Sequence, residues 1–221
     1  MSETTAVQDY LKAIYQLGGR SAPVPTSALA ERLDVRRASV SGMLRRLDEI
    51  GLVTHVPYKG VRLTRRGARA ALEMIRHHRL LELYLAEVVG MPWDKVHAEA
   101  DALEHHISEE LESRLAELLG DPTEDPHGHP IPSASLELVE QTYPSLNDAG
   151  ARPPARYVVR RVSDRNAAML RHLDRLGIKP GATFEVVGVV AFGGGVRVKA
   201  KGSEHVIGKD AADAVAVEVA S

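Results

Sequence analysis

The stretch from residue 26 to residue 63, TSALAERLDVRRASVSGMLRRLDEIGLVTHVPYKGVRL, decides the fold at the start of this chain. Its apolar spacing predicts two short helices separated by a tight turn, with Thr26 as the N-cap of the first helix and Gly51 ending the second. Two short strands around a turn at 58–60 follow, and an amphipathic helix at 5–17 precedes the stretch. Three helices and a β-hairpin in this order are typical of a winged helix-turn-helix domain.

The second of the two helices begins with the sequence RRASVSG at 36–42. In a helix-turn-helix domain this helix lies in the major groove, where its first residues meet base edges and phosphates. Small side chains allow a close approach, and arginine contacts phosphate or guanine. The sequence therefore predicts a surface for double-stranded DNA that consists of Thr26, Arg36, Arg37, Ser39, Ser41, Arg45, Arg46 and Lys59. The alternative is a winged helix that contacts only protein and whose arginines are solvated.

The formal net charge of −2 conceals a strong segregation of charge along the 221 residues. Residues 1–70 carry 12 Lys and Arg against 6 Asp and Glu, residues 71–150 carry 4 against 17, and residues 151–221 carry 12 against 7. A basic segment followed by an acidic one predicts one surface for a polyanion and one site for cations. Solvated helix faces would produce the same segregation, so charge alone does not distinguish these two interpretations and the motifs are needed.

The composition excludes several classes of protein. The chain contains no cysteine, which excludes disulfide scaffolds, thiolate zinc fingers, iron–sulfur clusters and thiol nucleophiles. Its start lacks the features of a signal peptide, and no stretch approaches the ~20 apolar residues that a membrane span needs. We therefore expect a cytoplasmic protein with no membrane partner.

The acidic segment carries histidines and carboxylates at helical spacing. Two long helices are predicted, at about 65–89 and 93–119, and the short loop between them makes them antiparallel neighbours. On each helix the candidate donors share one face, so that up to six nitrogen and oxygen donors could converge. These donors are His78, Glu82, His97, Asp101, Glu104 and His105. Imidazole with carboxylate suits Mn, Fe(II), Zn, Co or Ni. The neighbouring His77 and Glu112 are expected on solvated faces.

From residue 156 the period of the sequence changes to that of strands. Short alternating segments around one helix, joined by glycine turns, predict a small β-barrel of the SH3-like kind. The predicted fold class is therefore mainly α with a small β part. The predicted domains are a winged helix-turn-helix DNA-binding domain at 1–70, a helical metal-binding and dimerisation domain at 71–143, a linker at 144–155 and the SH3-like domain at 156–221.

In several motifs the chain resembles the diphtheria-toxin-repressor family of metal-dependent transcriptional regulators. These motifs are TTAVQDYLKAIYQL at the start, GLVTH at the end of the winged helix, HHRLLELYLAEVVG, KVHAEADALEHHIS and DPHGHPIP. The resemblance implies a homodimeric repressor of metal-ion homeostasis that binds operator DNA when a divalent metal is bound.

The resemblance also assigns ligands to two metal sites. One site takes His78, Glu82 and His97. The other takes Asp101, Glu104 and His105, together with Asp9 from the first helix. In the family this other site controls activation, because its ligand from the first helix ties the DNA-binding domain to the dimer core. The family's SH3-like domain can lend a ligand to the His78 site, and Asp164 is the candidate in this chain.

The chain departs from both branches of the family at these ligands. Iron-responsive members tend to have a thioether at the position of Asp9 and a thiol at that of Asp101, and here both are carboxylates. Manganese-responsive members often have a second carboxylate on the first helix, where this chain has Lys12, so an identical two-metal core is not expected. Because Mn(II) prefers carboxylate oxygen, we expect Mn(II) as the activator, with Fe(II) as the alternative and other divalent transition metals binding in vitro.

An enzyme is not expected. The chain lacks HExxH, and its only Glu-x-x-His spacing, Glu124–His127, lies in a proline-rich irregular run. The glycines at 193–195 fit a strand turn rather than a phosphate-binding loop. The alternative outside the family is a metal-independent dimeric DNA-binding regulator whose acidic helices serve only dimerisation.

Overall fold

The computed structural model describes residues 4–139, 141–149, 155–191 and 194–220. The predicted linker at 144–155 and the glycine turn at 193–195 lie partly outside these residues. The helices and strands are α1 (Thr5–Gln16), α2 (Thr26–Leu33), α3 (Arg37–Glu49), β1 (Val53–Val56), β2 (Gly60–Leu63), α4 (Arg65–Glu87), α5 (Val96–Leu103), α6 (Glu109–Leu118), α7 (Leu146–Ala149), β3 (Ala155–Val162), α8 (Ala167–Leu176), β4 (Thr183–Val189), β5 (Gly195–Ala200), β6 (Ser203–Gly208), α9 (Lys209–Asp213) and β7 (Val215–Val219).

The chain divides into two compact units. The first unit comprises Met1–His78, Asp101–Arg114 and Pro132–Leu138. The second unit comprises Arg79–Ala100, Leu115–Ile131 and Val139–Ser221.

The first unit contains the winged helix-turn-helix that the sequence predicts. Apolar side chains at helical spacing in α1, α2 and α3 form one core, in which Leu11, Leu29 and Leu47 are completely buried. The wing is formed by β1 and β2, which pair in antiparallel register with Val53 opposite Leu63. The prediction of the DNA-binding fold is therefore confirmed.

The start of α2 differs from the prediction by one residue. Thr26 is the first helical residue rather than the N-cap, and Pro25 takes the cap position. The Pro25 carbonyl accepts the backbone N–H groups of Ala28 and Leu29 at 3.1 and 3.3 Å. An N-cap residue contributes its carbonyl to the helix, and proline does this without a donor of its own to satisfy.

The predicted helix at 93–119 is wrong, because two helices with a turn between them occupy this segment. The first, α5, ends at Leu103, and α6 begins only at Glu109. Ser108 caps α6: its hydroxyl accepts the N–H of Leu111 at 3.2 Å, and its carbonyl accepts the N–H of Glu112 at 2.9 Å. A serine cap competes with continuation of the preceding helix, so the predicted common face of the donors ends at the turn at 104–108.

The second unit is built around a five-stranded antiparallel sheet in the order β6-β5-β4-β3-β7. Alternation along the strands buries Val159 and Val196 in a core that is shared with α8. The Asn166 side chain caps α8 by accepting the N–H of Met169 at 3.0 Å, and Gly177 ends the helix with φ 75°. The prediction of a mainly α chain with a C-terminal SH3-like domain is confirmed. A separate search of the described residues for a helix of the length and apolar character required to cross a membrane finds none.

Glycine is required where the wing meets the segment before α2. Gly60 has φ +112°, and a Cβ built on it would lie 1.9 Å from the Val24 carbonyl oxygen. Val24 and Val61 are joined by two backbone hydrogen bonds of 2.8 and 3.1 Å, so neither segment can move away from the other without losing these bonds.

Replacing Gly60 with alanine should lower the free energy of unfolding by about 1–3 kcal/mol, because backbone strain and a clash with a main-chain oxygen arise together. Chemical denaturation followed by far-ultraviolet circular dichroism measures the change. Gly42→Ala is the matched control, since a Cβ there meets nothing within 4 Å. The control should raise stability by about 0.5–1 kcal/mol, as expected for glycine in a helix interior. Equal effects of the two substitutions would contradict the account of the wing.

Candidate metal centres and nucleic-acid surface

The predicted DNA-contacting side chains lie on and around α3. The exposed ones are Arg36, Arg37, Ser39, Ser41, Arg45, Arg46 and Lys59, whereas Thr26 is half-buried. The Ser41 hydroxyl donates to the Arg37 carbonyl at 3.0 Å, so its hydrogen is used within the helix. Thr26 and Lys59 line one concave surface, together with Tyr58.

Sequence reasoning missed Tyr58 as a candidate contact residue. It lies in the turn of the wing with φ 62°, and its side chain is fully exposed. Because Tyr58 lines the same concave surface as Thr26 and Lys59, it is a further candidate for DNA contact. The available signal was an aromatic residue next to the lysine and glycine of a predicted wing.

One group of potential metal ligands joins α1 to the turn after α5. Asp9, Glu104 and His105 each offer a ligand atom, and these atoms lie within 4.8 Å of one another. His105 Nε2 lies 3.1 Å from Asp9 Oδ1 and 3.7 Å from Glu104 Oε1, while His105 Nδ1 donates to the Gln8 side chain at 2.8 Å. Burial raises the pKa of the Asp9 carboxyl, an effect that His105 and Lys12 oppose.

A second group shares Glu104 with the first. His78, Asp101 and Glu104 have ligand atoms within 4.8 Å of one another. His78 Nδ1 lies 2.5 Å from Glu104 Oε2 and 3.3 Å from Asp101 Oδ1. In this unit Glu104 is almost completely buried, with 1% of its surface exposed, whereas Asp101 is exposed.

Lys12 lies within this second group. Its Nζ is 2.9 and 2.7 Å from the two Glu104 carboxylate oxygens, 3.1 Å from Asp101 Oδ1 and 3.0 Å from His78 Nδ1. In the sequence, Lys12 stands out only as a departure from the family pattern. No spacing rule predicts that a lysine on α1 points into the cluster.

The turn that carries Glu104 is held by two residues that were expected to be solvated. That expectation is wrong for His77, which is 5% exposed, and for Glu112, which is half-buried. His77 Nδ1 donates to the Glu104 carbonyl at 3.2 Å, and His77 Nε2 lies 2.9 Å from Glu112 Oε2. Arg76 Nε donates to Glu112 Oε1 at 2.5 Å. His77 therefore connects α4 both to the turn after α5 and to α6.

A third group lies in the second unit. Glu82, His97 and Asp164 have ligand atoms within 4.8 Å of one another. His97 Nδ1 is 2.9 Å from Glu82 Oε1 and 3.5 Å from Asp164 Oδ2. Burial would raise the pKa of Asp164, but the neighbouring His129 and His97 hold it below its ordinary value. Asp164 follows β3, so the SH3-like part of the chain contributes to this group.

The proline-rich loop at 121–132 places two further histidines, His127 and His129, beside the third group. Asp125 Oδ1 accepts the backbone N–H groups of His127 and His129 at 2.8 and 2.9 Å, which fixes the loop. The His127 ring donates through Nε2 to the Trp93 carbonyl at 2.9 Å, while its Nδ1 faces Glu82 Oε2 at 3.7 Å. Burial opposes protonation of His127, yet the Glu82 carboxylate raises the pKa of His127 to about 9.

In the sequence, DPHGHPIP is a motif of the family resemblance, and helical spacing does not identify His127 and His129 as neighbours of the third group. The signal was available in two histidines and an aspartate within five residues of an irregular run. Glu124 and His127 are not on a helix, which agrees with the prediction for that run.

A basic recognition helix and several groups of imidazole and carboxylate donors define the class of the protein: a DNA-binding regulator with sites for divalent metal. Comparison with known protein families agrees with this class. Residues 3–61 match the iron dependent repressor, N-terminal DNA binding domain. Residues 64–133 match the iron dependent repressor, metal binding and dimerisation domain, and residues 146–219 match the FeoA domain.

Individual relatives match nearly the whole chain. It is 34% identical to the iron-dependent repressor IdeR of Mycobacterium tuberculosis, over 95% of each chain. It is 30% identical to the diphtheria toxin repressor of Corynebacterium jeikeium, again over 95% of each. The solved structure of a manganese-dependent transcriptional repressor in complex with manganese has a TM-score of 0.88 and 38% identity, and covers 97% of this chain and 100% of that one. The chain belongs to the diphtheria-toxin-repressor family of metal-dependent transcriptional repressors. It is not an enzyme.

The Arg76–Glu112–His77 network predicts a pH-dependent stability. Burial opposes ionisation of Glu112, but hydrogen bonds from His77 and Arg76 hold the pKa of Glu112 below its ordinary value of 4.5. A lowered pKa means that Glu112 stabilises the fold fully above pH 4.5, and that this contribution is lost as the pH falls through the folded-state value.

Glu112→Gln should lower the free energy of unfolding at neutral pH by about 1–3 kcal/mol and flatten its fall below pH 4.5. Glu110→Gln is the matched control, because it removes a carboxylate from the same first turn of α6 but from an exposed position. Urea denaturation across the acid range provides the measurement. A wild-type pH profile in Glu112→Gln would show that the network does not stabilise the turn.

Proposed function

We propose that this repressor binds operator DNA as a homodimer when Mn(II) is bound, and that Asp9, Glu104 and His105 are the core of its activating site. The observation that carries the proposal is the contact of Asp9 on α1 with His105 after α5, at 3.1 Å. Because α1 shares a core with α2 and α3, fastening α1 to the turn at 104–108 restrains the recognition helix.

The donor chemistry supports a hard divalent ion. Asp9 and Glu104 supply carboxylate oxygens, His105 supplies imidazole, Asp101 lies in the adjoining group, and the chain has no cysteine. When bound, a divalent ion would supply positive charge that relieves the repulsion among these carboxylates. Fe(II) remains the alternative, because the relative that is 34% identical is named for iron. Affinity alone does not separate the two, since Zn(II) binds such donors more tightly than either.

We further propose a supporting metal site at Glu82, His97 and Asp164. Glu82 is completely buried, and its Oε1 and the Nδ1 of His97 lie 2.9 Å apart, so two of the donors are adjacent before an ion binds. His78, one helical turn before Glu82 on α4, is added to this site by the family resemblance. Asp164 would give the SH3-like part of the chain a role in holding the ion.

The proposed DNA surface comprises the N-terminal half of α3 and the wing. Arg36 and Arg37 at the start of α3 suit phosphate contacts, and Ser39 and Ser41 permit a close approach to the groove. Large apolar side chains of the second unit are exposed directly after α4 and at the end of α6, at Val88, Val89 and Leu118. Such exposure suits a dimer interface, and a dimer would read two half-sites. We expect the protein to bind its operator DNA in the cytoplasm.

Arg37→Ala should weaken binding to a mixed-sequence DNA duplex and reduce the slope of log affinity against log salt by about one, because one phosphate contact is lost. Arg175→Ala removes the same charge from the exposed surface of α8 and should leave both quantities unchanged. Fluorescence anisotropy over a range of salt concentrations, with Mn(II) present, measures the two variants. Identical slopes for Arg37→Ala and the wild type would remove Arg37 from the interface.

Asp9→Ala should abolish the stimulation of DNA binding by Mn(II) while metal still binds at the supporting site. The probe is a duplex selected from a random pool in the presence of Mn(II) or, under anaerobic conditions, Fe(II). His97→Ala is the comparison variant and should retain a response to Mn(II), since it alters only the supporting site. Activation of the wild type by Fe(II) but not by Mn(II), at buffered ion concentrations, would contradict the manganese assignment.

A further inference from the structure

The cluster around Glu104 contains two triads of metal-ligand type that share one carboxylate. The first triad is Asp9, Glu104 and His105, and the second is His78, Asp101 and Glu104. Two triads that share a carboxylate have the form of a centre for two cations. Of the two, only the second triad has a positively charged side chain, that of Lys12, in contact with all three of its members.

Lys12 Nζ contacts each member of the second triad. It lies 3.0 Å from His78 Nδ1, 3.1 Å from Asp101 Oδ1 and 2.7 Å from Glu104 Oε2. The Lys12 side chain is 11% exposed and that of Glu104 is 1% exposed, so this ion pair is shielded from solvent. A lysine ammonium is a compact cation with three donors, which suits three acceptors converging from different directions.

We propose that the ammonium of Lys12 takes the place of a second metal ion, so that the cluster binds one divalent cation, at the Asp9 triad. This inference rests on the proposed function and specifies the ion count of its activating site. One ammonium and one divalent ion balance the three carboxylates of Asp9, Asp101 and Glu104. Balance matters most at Glu104, because an uncompensated charge on a buried carboxylate is costly.

Substituting Lys12 changes this balance in a defined direction. Lys12→Glu leaves four carboxylates, which two divalent ions balance, and it adds a ligand to the second triad. Lys12→Gln removes the ammonium without adding a charge, and so opens the second triad to a second ion of lower affinity. Lys12→Arg retains the positive charge and should keep the count at one.

The experiment counts Mn(II) ions per chain by equilibrium dialysis with elemental analysis. It uses the full chain carrying His97→Ala and Asp164→Asn, so that the supporting site does not contribute. Electron paramagnetic resonance gives a second readout, since two Mn(II) ions bridged by one carboxylate are spin-coupled and a single ion is not. Circular dichroism verifies that each variant is folded, and Lys12→Gln serves if Lys12→Glu is not.

The expected result is one uncoupled ion in the parent and in Lys12→Arg, and two coupled ions in Lys12→Glu. Asp9→Asn in the parent should reduce the count to zero. Two ions in the parent would overturn the inference, because the ammonium would then yield to metal. A count of one in both folded Lys12→Glu and Lys12→Gln would also overturn it, while leaving the proposed function intact. A parent that binds no ion would overturn the proposed function and this inference with it.

Discussion

A carboxylate buried as deeply as that of Glu104 needs positive charge beside it, and this need joins α1 and α4 to the turn after α5. Both oxygens of Glu104 lie within 3 Å of Lys12 Nζ, and one also contacts His78. Glu104 lies in the turn after α5, and its backbone carbonyl accepts a hydrogen bond from His77. Hydrogen bonds therefore hold Glu104 both at its backbone carbonyl and at its carboxylate. A further cation bound by this carboxylate and by Asp9 would connect α1 to the turn.

The sequence predicts most of the fold because the fold rests on periodicity. Spacing of 3.6 residues buries Leu11, Leu29 and Leu47, and alternation along the strands buries Val159 and Val196. The exception is the predicted helix at 93–119. Apolar and donor positions continue at helical spacing through the break, and the competing signal is one serine cap at residue 108. Periodicity is a property of many residues, whereas a helix cap depends on one. The spacing therefore predicts one continuous helix although Ser108 starts a new one.

The same difference explains what was predictable at the metal centres. Spacing selected side chains that the structure brings into groups with ligand atoms within 4.8 Å of one another, and resemblance supplied Asp9, which spacing could not provide because it lies far along the chain from His105. Neither could reveal that Lys12 points into the cluster, since that depends on side-chain packing between α1 and the turn. His127 and His129 were concealed for another reason: they belong to an irregular loop whose shape is set by Asp125 rather than by any period.

In the proposed mechanism, a divalent ion bound through Asp9 restrains α1, and with it the recognition helix. Hydrogen–deuterium exchange of the full chain, with and without saturating Mn(II), measures that restraint directly. We expect slower exchange of the backbone amides in α1 and in the turn at 104–108 when Mn(II) is present. Unchanged exchange in both segments, with protection appearing only around Glu82 and His97, would contradict it.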